Sequence, residues 1–111
     1  MAKPLEGVVV LDLSRVLAAP YTGMILADMG ADVIKVERPG KGDDSRAYGP
    51  FKNGESVYYM SLNRGKRSMT LNMKSEEGKQ ILKDLVKQAD VLVENFRGGT
   101  MDKLGLGYDV L

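Results

Sequence analysis

The sequence of 111 residues contains no cysteine and no histidine. Without cysteine the chain cannot form a disulfide, use a thiolate nucleophile or build a cysteine zinc site. Without histidine it lacks the side chain that most often serves as a general base and as a metal ligand. Any acid–base chemistry in these residues therefore falls to carboxylates, lysine or tyrosine, and we predict no metal site.

The sequence also lacks an excess of either charge and any long apolar run. Its 16 Lys and Arg balance 15 Asp and Glu, which gives no general case for nucleic-acid binding. No apolar stretch approaches the roughly 20 residues that cross a bilayer, and no signal-peptide core follows "MAKPLEG". We therefore expect a single cytoplasmic domain that binds neither nucleic acid nor membrane.

The first half of the chain reads as strand, helix, strand and loop. Residues 7–14 form a β-branched run typical of a buried parallel strand. Pro20 suits the first turn of a helix that ends near Gly30, with Met24, Ile25, Leu26 and Met29 as its apolar stripe. Residues 32–37 form the second strand. Residues 38–56 are polar and glycine-rich, which predicts a long irregular loop.

The second half repeats the order. Residues 56–63 suit either a helix or a strand, and residues 68–73 and 90–95 are predicted strands. Ser75 caps a helix between those strands, and the apolar face of this helix comprises Ile81, Leu82, Leu85 and Val86. A short helix follows at residues 101–104, and residues 108–111 open another. This order predicts an α/β fold with a doubly wound, mostly parallel sheet, and the unfinished last helix predicts a segment of a longer domain.

Polar side chains, cations among them, stand where the predicted strands end. Parallel sheets bind ligands beyond the carboxyl ends of their strands. Here those ends are residues 14–17, 37–38, 72–74 and 95–97. Converging guanidinium and ammonium groups suit a phosphorylated or carboxylated ligand. The alternative is that polar residues simply mark where each strand reaches water.

Four other motifs each leave alternatives open. Glu37 could hold a ribose, but the turn "SRVLAAPYTG" lacks the glycine fingerprint of a nicotinamide-dinucleotide site. The pair Asp43-Asp44 suits a metal site or a solvated loop. The basic run at residues 64–67 suits a phosphate patch or a solvated turn. Gly98-Gly99 suits an anion-binding nest, with Thr100 capping the next helix.

Three stretches of the sequence are specific when taken together. They are "PLEGVVVLDLSRVLAAPYTGMILADMGADVIKVERPGKGDDSR", "SLNRGKRSMTLNMKSEEGKQIL" and "ADVLVENFRGGTMDKLGLGYDVL". Together they resemble the family III CoA-transferases, which include formyl-CoA transferase, carnitine CoA-transferases and α-methylacyl-CoA racemases. Chains of this family are several times longer. The resemblance therefore implies that residues 1–111 are an N-terminal CoA-binding segment, with a Rossmann-like sheet and an interlocked homodimer.

The resemblance also implies which residues bind coenzyme A. The matching positions are Val16, Leu17, Ala18, Arg38, Leu71, Asn72, Met73, Lys74, Asn95, Phe96, Arg97 and Lys103. Arg38 matches a contact to the adenine nucleotide, which leaves Glu37 a structural role. Lys103 stands where relatives often carry arginine, so the bidentate fork is lost. Leu17 replaces the glutamine of formyl-CoA transferase, which favours another branch of the family.

The activity that the resemblance implies is transfer of CoA from an acyl-CoA thioester to a carboxylic acid. The family uses an aspartate nucleophile in a motif beyond residue 111, so no catalytic residue is predicted here and this segment alone should be inactive. Two alternatives stay open at this point. One is an α-methylacyl-CoA racemase of the same family, and the other is a non-catalytic nucleotide-binding module.

Overall fold

The computed structural model describes residues 2–111, which contain six strands and four α-helices. The strands are β1 (Val9–Asp12), β2 (Asp32–Glu37), β3 (Phe51–Lys52), β4 (Glu55–Ser56), β5 (Arg67–Thr70) and β6 (Val91–Val93). The helices are α1 (Ala18–Asp28), α2 (Val57–Asn63), α3 (Glu76–Val86) and α4 (Thr100–Lys103), and a 3₁₀ turn spans Asp44–Ala47. Within residues 2–111, none of these helices has both the length and the apolar character to span a membrane.

Four of the strands form a central parallel sheet in the order β5-β2-β1-β6. Val10 of β1 lies opposite Val33 of β2 on one side and Val91 of β6 on the other. The chain starts in the middle of the sheet, builds outward through β2 and β5, and returns to the other side of β1. The predicted doubly wound parallel α/β fold is therefore confirmed.

The sheet is apolar on both faces, as a parallel sheet covered by helices requires. Val10 packs with Val33 on one face, where α1 contributes Leu26. Its neighbour Leu11 points the other way and packs with Leu82 of α3, which is fully buried. Successive residues of a strand thus serve two separate core clusters.

The two long helices begin where the sequence predicts. Pro20 lies in the first turn of α1, and the Ser75 hydroxyl caps α3 by accepting a hydrogen bond from Gly78 N at 3.0 Å. The buried faces are narrower than the predicted apolar stripes, however. Ile25, Met29 and Ile81 have exposures of 37%, 45% and 45%.

The predicted loop at residues 38–56 contains more regular structure than expected. Besides the 3₁₀ turn it holds the β3-β4 hairpin, closed by Asn53-Gly54. Both turn residues have positive φ, 53° and 80°, as a two-residue hairpin turn of type I′ requires. The open choice at residues 56–63 resolves as helix α2, because the Ser56 hydroxyl accepts a hydrogen bond from Tyr59 N at 3.1 Å and caps it.

Near the end of the chain, one prediction was wrong and another stays a prediction. Residues 108–110 form a turn in which Val110 N and Leu111 N both donate to the carbonyl of Gly107 at 3.1 Å, and the predicted opening of a helix at residues 108–111 stays a prediction. Thr100 is the first residue of α4 and not its cap. Gly99 takes the cap position, because the chain there has a φ of 87°, which glycine adopts without strain.

Candidate functional site

A cleft of about 530 Å³ opens at the carboxyl edge of the central sheet. Its walls come from the chain at the ends of β1, β2 and β5 and from the segment beyond β6. They comprise residues 13–15, 36–39, 42–43 and 71–74, with Phe96, Thr100 and Leu104. This edge is where parallel α/β sheets bind ligands, so the cleft is our candidate site.

A second cavity, of about 800 Å³, lies beside β6 and the end of α3. Its polar lining includes the carboxylates of Asp90, Glu94 and Asp109, and lysine and arginine are absent from its described lining. An acidic lining repels phosphate groups. The smaller cleft, which carries Arg15, Arg38 and Lys74, is therefore the better site for an anionic ligand.

The floor of the cleft rests on a buried ion pair between Lys35 and Asp43. The Lys35 Nζ to Asp43 Oδ2 distance is 2.7 Å, and the two side chains are 1% and 0% exposed. Burial alone would raise the pKa of Asp43, but the hydrogen bonds from Lys35 and from Ser45 N outweigh it, so the pKa lies below its ordinary value. Asp43 is therefore an ionised structural carboxylate and is unavailable as a metal ligand.

Glu37, at the end of β2, is occupied within the protein. Arg46 binds it through two hydrogen bonds of 2.8 Å, and the Tyr59 hydroxyl donates a third at 2.7 Å. Asp43 N donates a fourth, also at 2.7 Å. Burial raises the pKa of Glu37, but these hydrogen bonds outweigh it and lower the pKa to about 2. This agrees with the predicted structural role and means that the Glu37 carboxylate is already occupied and does not suit a ribose.

Arg38 lies on the cleft wall and is half exposed, yet it already has partners. Its Nη2 donates to Asp44 Oδ1 at 2.5 Å, and its Nε donates to the carbonyl of Gly42 at 3.0 Å. Asp44 is thus ion-paired with Arg38, and its side chain remains 44% exposed to solvent. A ligand anion can still approach the exposed side of the guanidinium.

The basic run at residues 64–67 begins as a turn, and its two arginines are solvent-exposed, with exposures of 64% and 68%. Each of its three cations also meets a carboxylate from an earlier part of the chain. The pairs are Arg64 with Asp28 at 2.8 Å, Lys66 with Asp12 at 2.6 Å and Arg67 with Asp32 at 2.8 Å. Of these three pairs only Lys66 with Asp12 is buried, and the two arginine pairs lie at the surface.

The structure brings half of the predicted CoA-binding residues together in the cleft. These are Arg38, Leu71, Asn72, Met73, Lys74 and Phe96. The other half lie outside its lining: Val16, Leu17, Ala18, Asn95, Arg97 and Lys103. Leu17 is 51% exposed at the start of α1, and Arg97 and Lys103 are exposed.

Sequence reasoning missed the buried ion pairs beneath the cleft. Lys35 interrupts the apolar run of β2, and a lysine at a central position of a buried strand signals a buried partner. Asp12 does the same at the end of β1. The sequence therefore shows that Lys35 and Asp12 need partners of opposite charge. It does not show which residues these partners are, because Asp43 and Lys66 lie in loops whose path cannot be predicted from local patterns.

Comparison with known proteins identifies the family and the fold that this chain resembles. Residues 5–111 match the model of CoA-transferase family III. The chain is 55% identical over 108 residues to succinyl-CoA:glutarate CoA-transferase of Mus musculus, a match that covers 96% of this chain and 25% of the relative. It is 49% identical over 108 residues to acetyl-CoA:oxalate CoA-transferase of Acetobacter aceti, covering 97% and 28%.

The fold of the chain is also found in a solved structure. A CAIB/BAIF family protein from Brucella suis superposes with a TM-score of 0.91 at 46% sequence identity. The match covers 99% of this chain and 30% of that structure. The chain thus spans between a quarter and a third of the length of these relatives.

Proposed function

The chain belongs to CoA-transferase family III, and we propose that it supplies the CoA nucleotide half of an acyl-CoA site in an enzyme that transfers CoA to a carboxylic acid. The observation that carries the proposal is the cleft at the carboxyl edge of the sheet, with Arg38 and Lys74 on its wall. The phosphates of CoA are anions that guanidinium and ammonium groups recognise. Coenzyme A is thus proposed as a substrate and product.

Direct contacts are proposed for the six predicted residues that line the cleft. Lys74 and Arg38 suit the phosphates, and Phe96 offers an aromatic surface. Leu71 and Met73 give the wall apolar surface between them. Predicted CoA contacts outside the cleft lining stay predictions.

The transferase is favoured over the racemase because the relatives described above carry transferase names. Their names also suggest the chemistry of the substrates. Succinyl-CoA and glutarate form a suitable first pair to test, since both acids are short dicarboxylates. A non-catalytic module is less favoured, since it would not account for 55% identity to an enzyme across 96% of the chain.

We propose that the nucleophile lies outside residues 1–111. The buried carboxylates Asp12, Glu37 and Asp43 are each held by a cation, which lowers their nucleophilicity. In the proposed reaction, an aspartate carboxylate attacks the thioester carbonyl, giving a mixed anhydride and CoA thiolate. The thiolate attacks the enzyme's own acyl group, which releases the donor acid and leaves an enzyme thioester.

The second half of the proposed reaction reverses these steps. The acceptor carboxylate attacks the enzyme thioester, which gives a new anhydride and again expels CoA thiolate. The thiolate then attacks the acceptor's acyl carbon, which forms the new acyl-CoA and restores the aspartate carboxylate. The role of the described residues is to hold the CoA nucleotide through both halves while the thiolate leaves and returns.

A homodimer is also proposed, and a stripe of exposed apolar residues supports it. Leu17, Tyr21, Ile25 and Met29 follow one another at intervals of four along α1, and their exposures lie between 37% and 51%. Such a stripe is typical of a surface covered by another chain. Interlocking of the two chains and a cytoplasmic location stay predictions.

The test uses the longest reading frame that contains these residues. Arg38→Ala and Lys74→Ala should raise the KM for succinyl-CoA more than they lower kcat with glutarate as acceptor, because the nucleotide lies far from the reacting carbon. Lys87→Ala, at the exposed far end of α3, is the control and should change neither constant. A loss confined to kcat in the Arg38 and Lys74 variants would contradict the proposal.

A further inference from the structure

The loop between β1 and α1 is held by charged side chains from distant parts of the chain. Lys35 Nζ donates a hydrogen bond to the carbonyl of Ser14 at 2.9 Å. Its ion-pair partner Asp43 accepts a hydrogen bond from Val16 N at 3.1 Å. One buried pair therefore fixes both sides of this loop, residues 14–17.

Asn95 fixes the residue between those two anchor points. Its Oδ1 accepts a hydrogen bond from Arg15 N at 2.9 Å, and its Nδ2 donates to the carbonyl of Arg15 at 2.8 Å. Asn95 follows β6, whereas Lys35 lies on β2, so the loop is tied to the strands on both sides of β1. Three consecutive residues are thus held by side chains at least 21 positions away.

This anchoring coincides with a strained backbone. Val16 has a φ of 72°, in the left-handed region that a β-branched side chain rarely enters. Such a conformation persists only where the surrounding structure holds it, and conformations of this kind cluster at sites of function. The hydrogen bond from Val16 N to the buried Asp43 carboxylate supplies that hold.

We propose that Asp43, Lys35 and Asn95 are positioning residues that hold the loop at residues 14–17 in its strained conformation for binding coenzyme A. The proposal rests on the proposed function. Ser14 and Arg15 of the loop line the cleft. Asn95, predicted from the family resemblance as a CoA contact, acts in this account through Arg15.

A purely structural role would not require this arrangement. Replacing a buried ion pair by apolar residues is often neutral or stabilising, so the pair is weakly justified by stability alone. The strain at Val16 opposes folding as well. The buried ion pair and the strain at Val16 are both explained if the protein needs this conformation of the loop for binding.

The first experiment removes the pair as a unit in the longest reading frame that contains these residues. Lys35→Met with Asp43→Ala leaves no unpaired charge buried and removes the acceptor for Val16 N. We expect the Kd for CoA, measured by calorimetry, to rise by at least about tenfold, because the two hydrogen bonds that the pair makes to the loop are lost. Amide hydrogen exchange should become faster at residues 14–17.

Adding Val16→Gly to that double variant is the rescue. Glycine adopts a φ near 72° without strain, so the loop no longer needs the hold of Asp43. The triple variant should recover most of the CoA affinity that the double variant loses. A merely structural role predicts no such recovery, and its absence would overturn the proposal.

Asn95→Ala removes the two hydrogen bonds that hold Arg15. It also provides the test if the double variant does not fold. It should also raise the Kd for CoA and speed exchange at residues 14–17. Val33→Ala is the control for instability, because Val33 is buried in the other core cluster, whose members do not line the cleft. It should change neither quantity, and equal effects of Val33→Ala and the anchor variants would contradict positioning.

The exchange measurement separates this proposal from the proposed function. If the unmodified protein binds no CoA, the proposed function fails, and with it the ligand that we assign to the loop. Faster exchange at residues 14–17 in the anchor variants would still establish the hold itself. If CoA binds but the anchor variants bind it equally well, the proposed function stands and the positioning role is wrong.

Discussion

Lys66 and Asp12 form a buried ion pair although they lie 54 positions apart, with a Nζ to Oδ2 distance of 2.6 Å. The side chains are 1% and 0% exposed. The ammonium also donates to the carbonyl of Pro20 and to Asn63 Oδ1, both at 2.9 Å. One lysine therefore joins the end of β1 to α1 and α2, beside the candidate cleft.

Loss of this lysine should be costly. Lys66→Met leaves the Asp12 carboxylate buried without its cation, and we expect a loss of about 3–5 kcal/mol in the free energy of unfolding. Urea denaturation followed by circular dichroism measures it. Arg67→Met, one position away, breaks an exposed pair with Asp32 and should change stability by at most about 1 kcal/mol. Similar losses in the two variants would show that the burial of Lys66 does not matter.

Gly23→Ala provides a test in which two physical effects have opposite signs. Gly23 lies within α1, where helix propensity alone favours alanine by about 1 kcal/mol. An added Cβ, however, would stand 2.6 Å from Asp12 Oδ2 and 3.2 Å from Lys66 Nζ. Because both atoms are buried and ion-paired, we expect net destabilisation, visible as a lower Tm. A higher Tm would mean that the pair can move aside.

Glu37 should make the protein sensitive to acid. Its pKa is lowered from 4.5 to about 2 in the folded protein, so the unfolded chain binds a proton more readily. The stabilisation from its ionised form is complete above about pH 4.5 and is lost as the pH falls toward 2. Glu37→Gln should therefore be less stable than the unmodified protein at pH 7.

The difference between the two proteins should shrink as the pH falls from 4.5 to 2. Urea titrations at several pH values in this range measure that difference. The lowered pKa of Asp43 acts in the same direction but is common to both proteins, so the comparison isolates Glu37. A difference independent of pH would show that Glu37 contributes through its shape and not through its charge.

Gly78→Ala should disturb the wall of the cleft. A Cβ at this position of α3 would lie 1.8 Å from the carbonyl oxygen of Asn72, a backbone atom of the cleft lining. We expect the chain at residues 71–74 to shift, the Tm to fall and the Kd for CoA to rise. Gly98→Ala is the control, because within residues 2–111 no atom beyond its own chain neighbours lies within 4 Å of the added carbon. Unchanged CoA affinity in Gly78→Ala would argue that this wall does not touch the ligand.

The parallel sheet could be predicted because its signals are local. Each signal can be recognised from a few neighbouring residues. Examples are the β-branched run of β1, the capping residue Ser75 and the apolar position of Leu82 in α3. The choice between helix and strand at residues 56–63 depended on whether Ser56 caps a helix. That hydroxyl accepts from Tyr59 N and donates to the carbonyl of Tyr48, a contact from a loop that local patterns do not place.

The site was predictable only as a location. Strand ends mark the edge where ligands bind, and Arg38 and Lys74 were identified on that basis. The buried charges were not, because Lys35 and Asp43 are 8 positions apart across an irregular loop and Asp12 and Lys66 are 54 apart. Whether two residues at such separations form an ion pair depends on the tertiary structure. The type of each residue alone does not predict it.

The pairing of Arg38 with Asp44 has a consequence for any anion that enters the cleft. The guanidinium already shares its charge with the Asp44 carboxylate at 2.5 Å, so an anion that approaches its exposed side meets a cation that is partly neutralised. A doubly charged phosphate is attracted to such a position more strongly than a singly charged carboxylate. If the cleft binds its ligand as proposed, Arg38 should therefore favour a phosphate group over free carboxylic acids in the same solution.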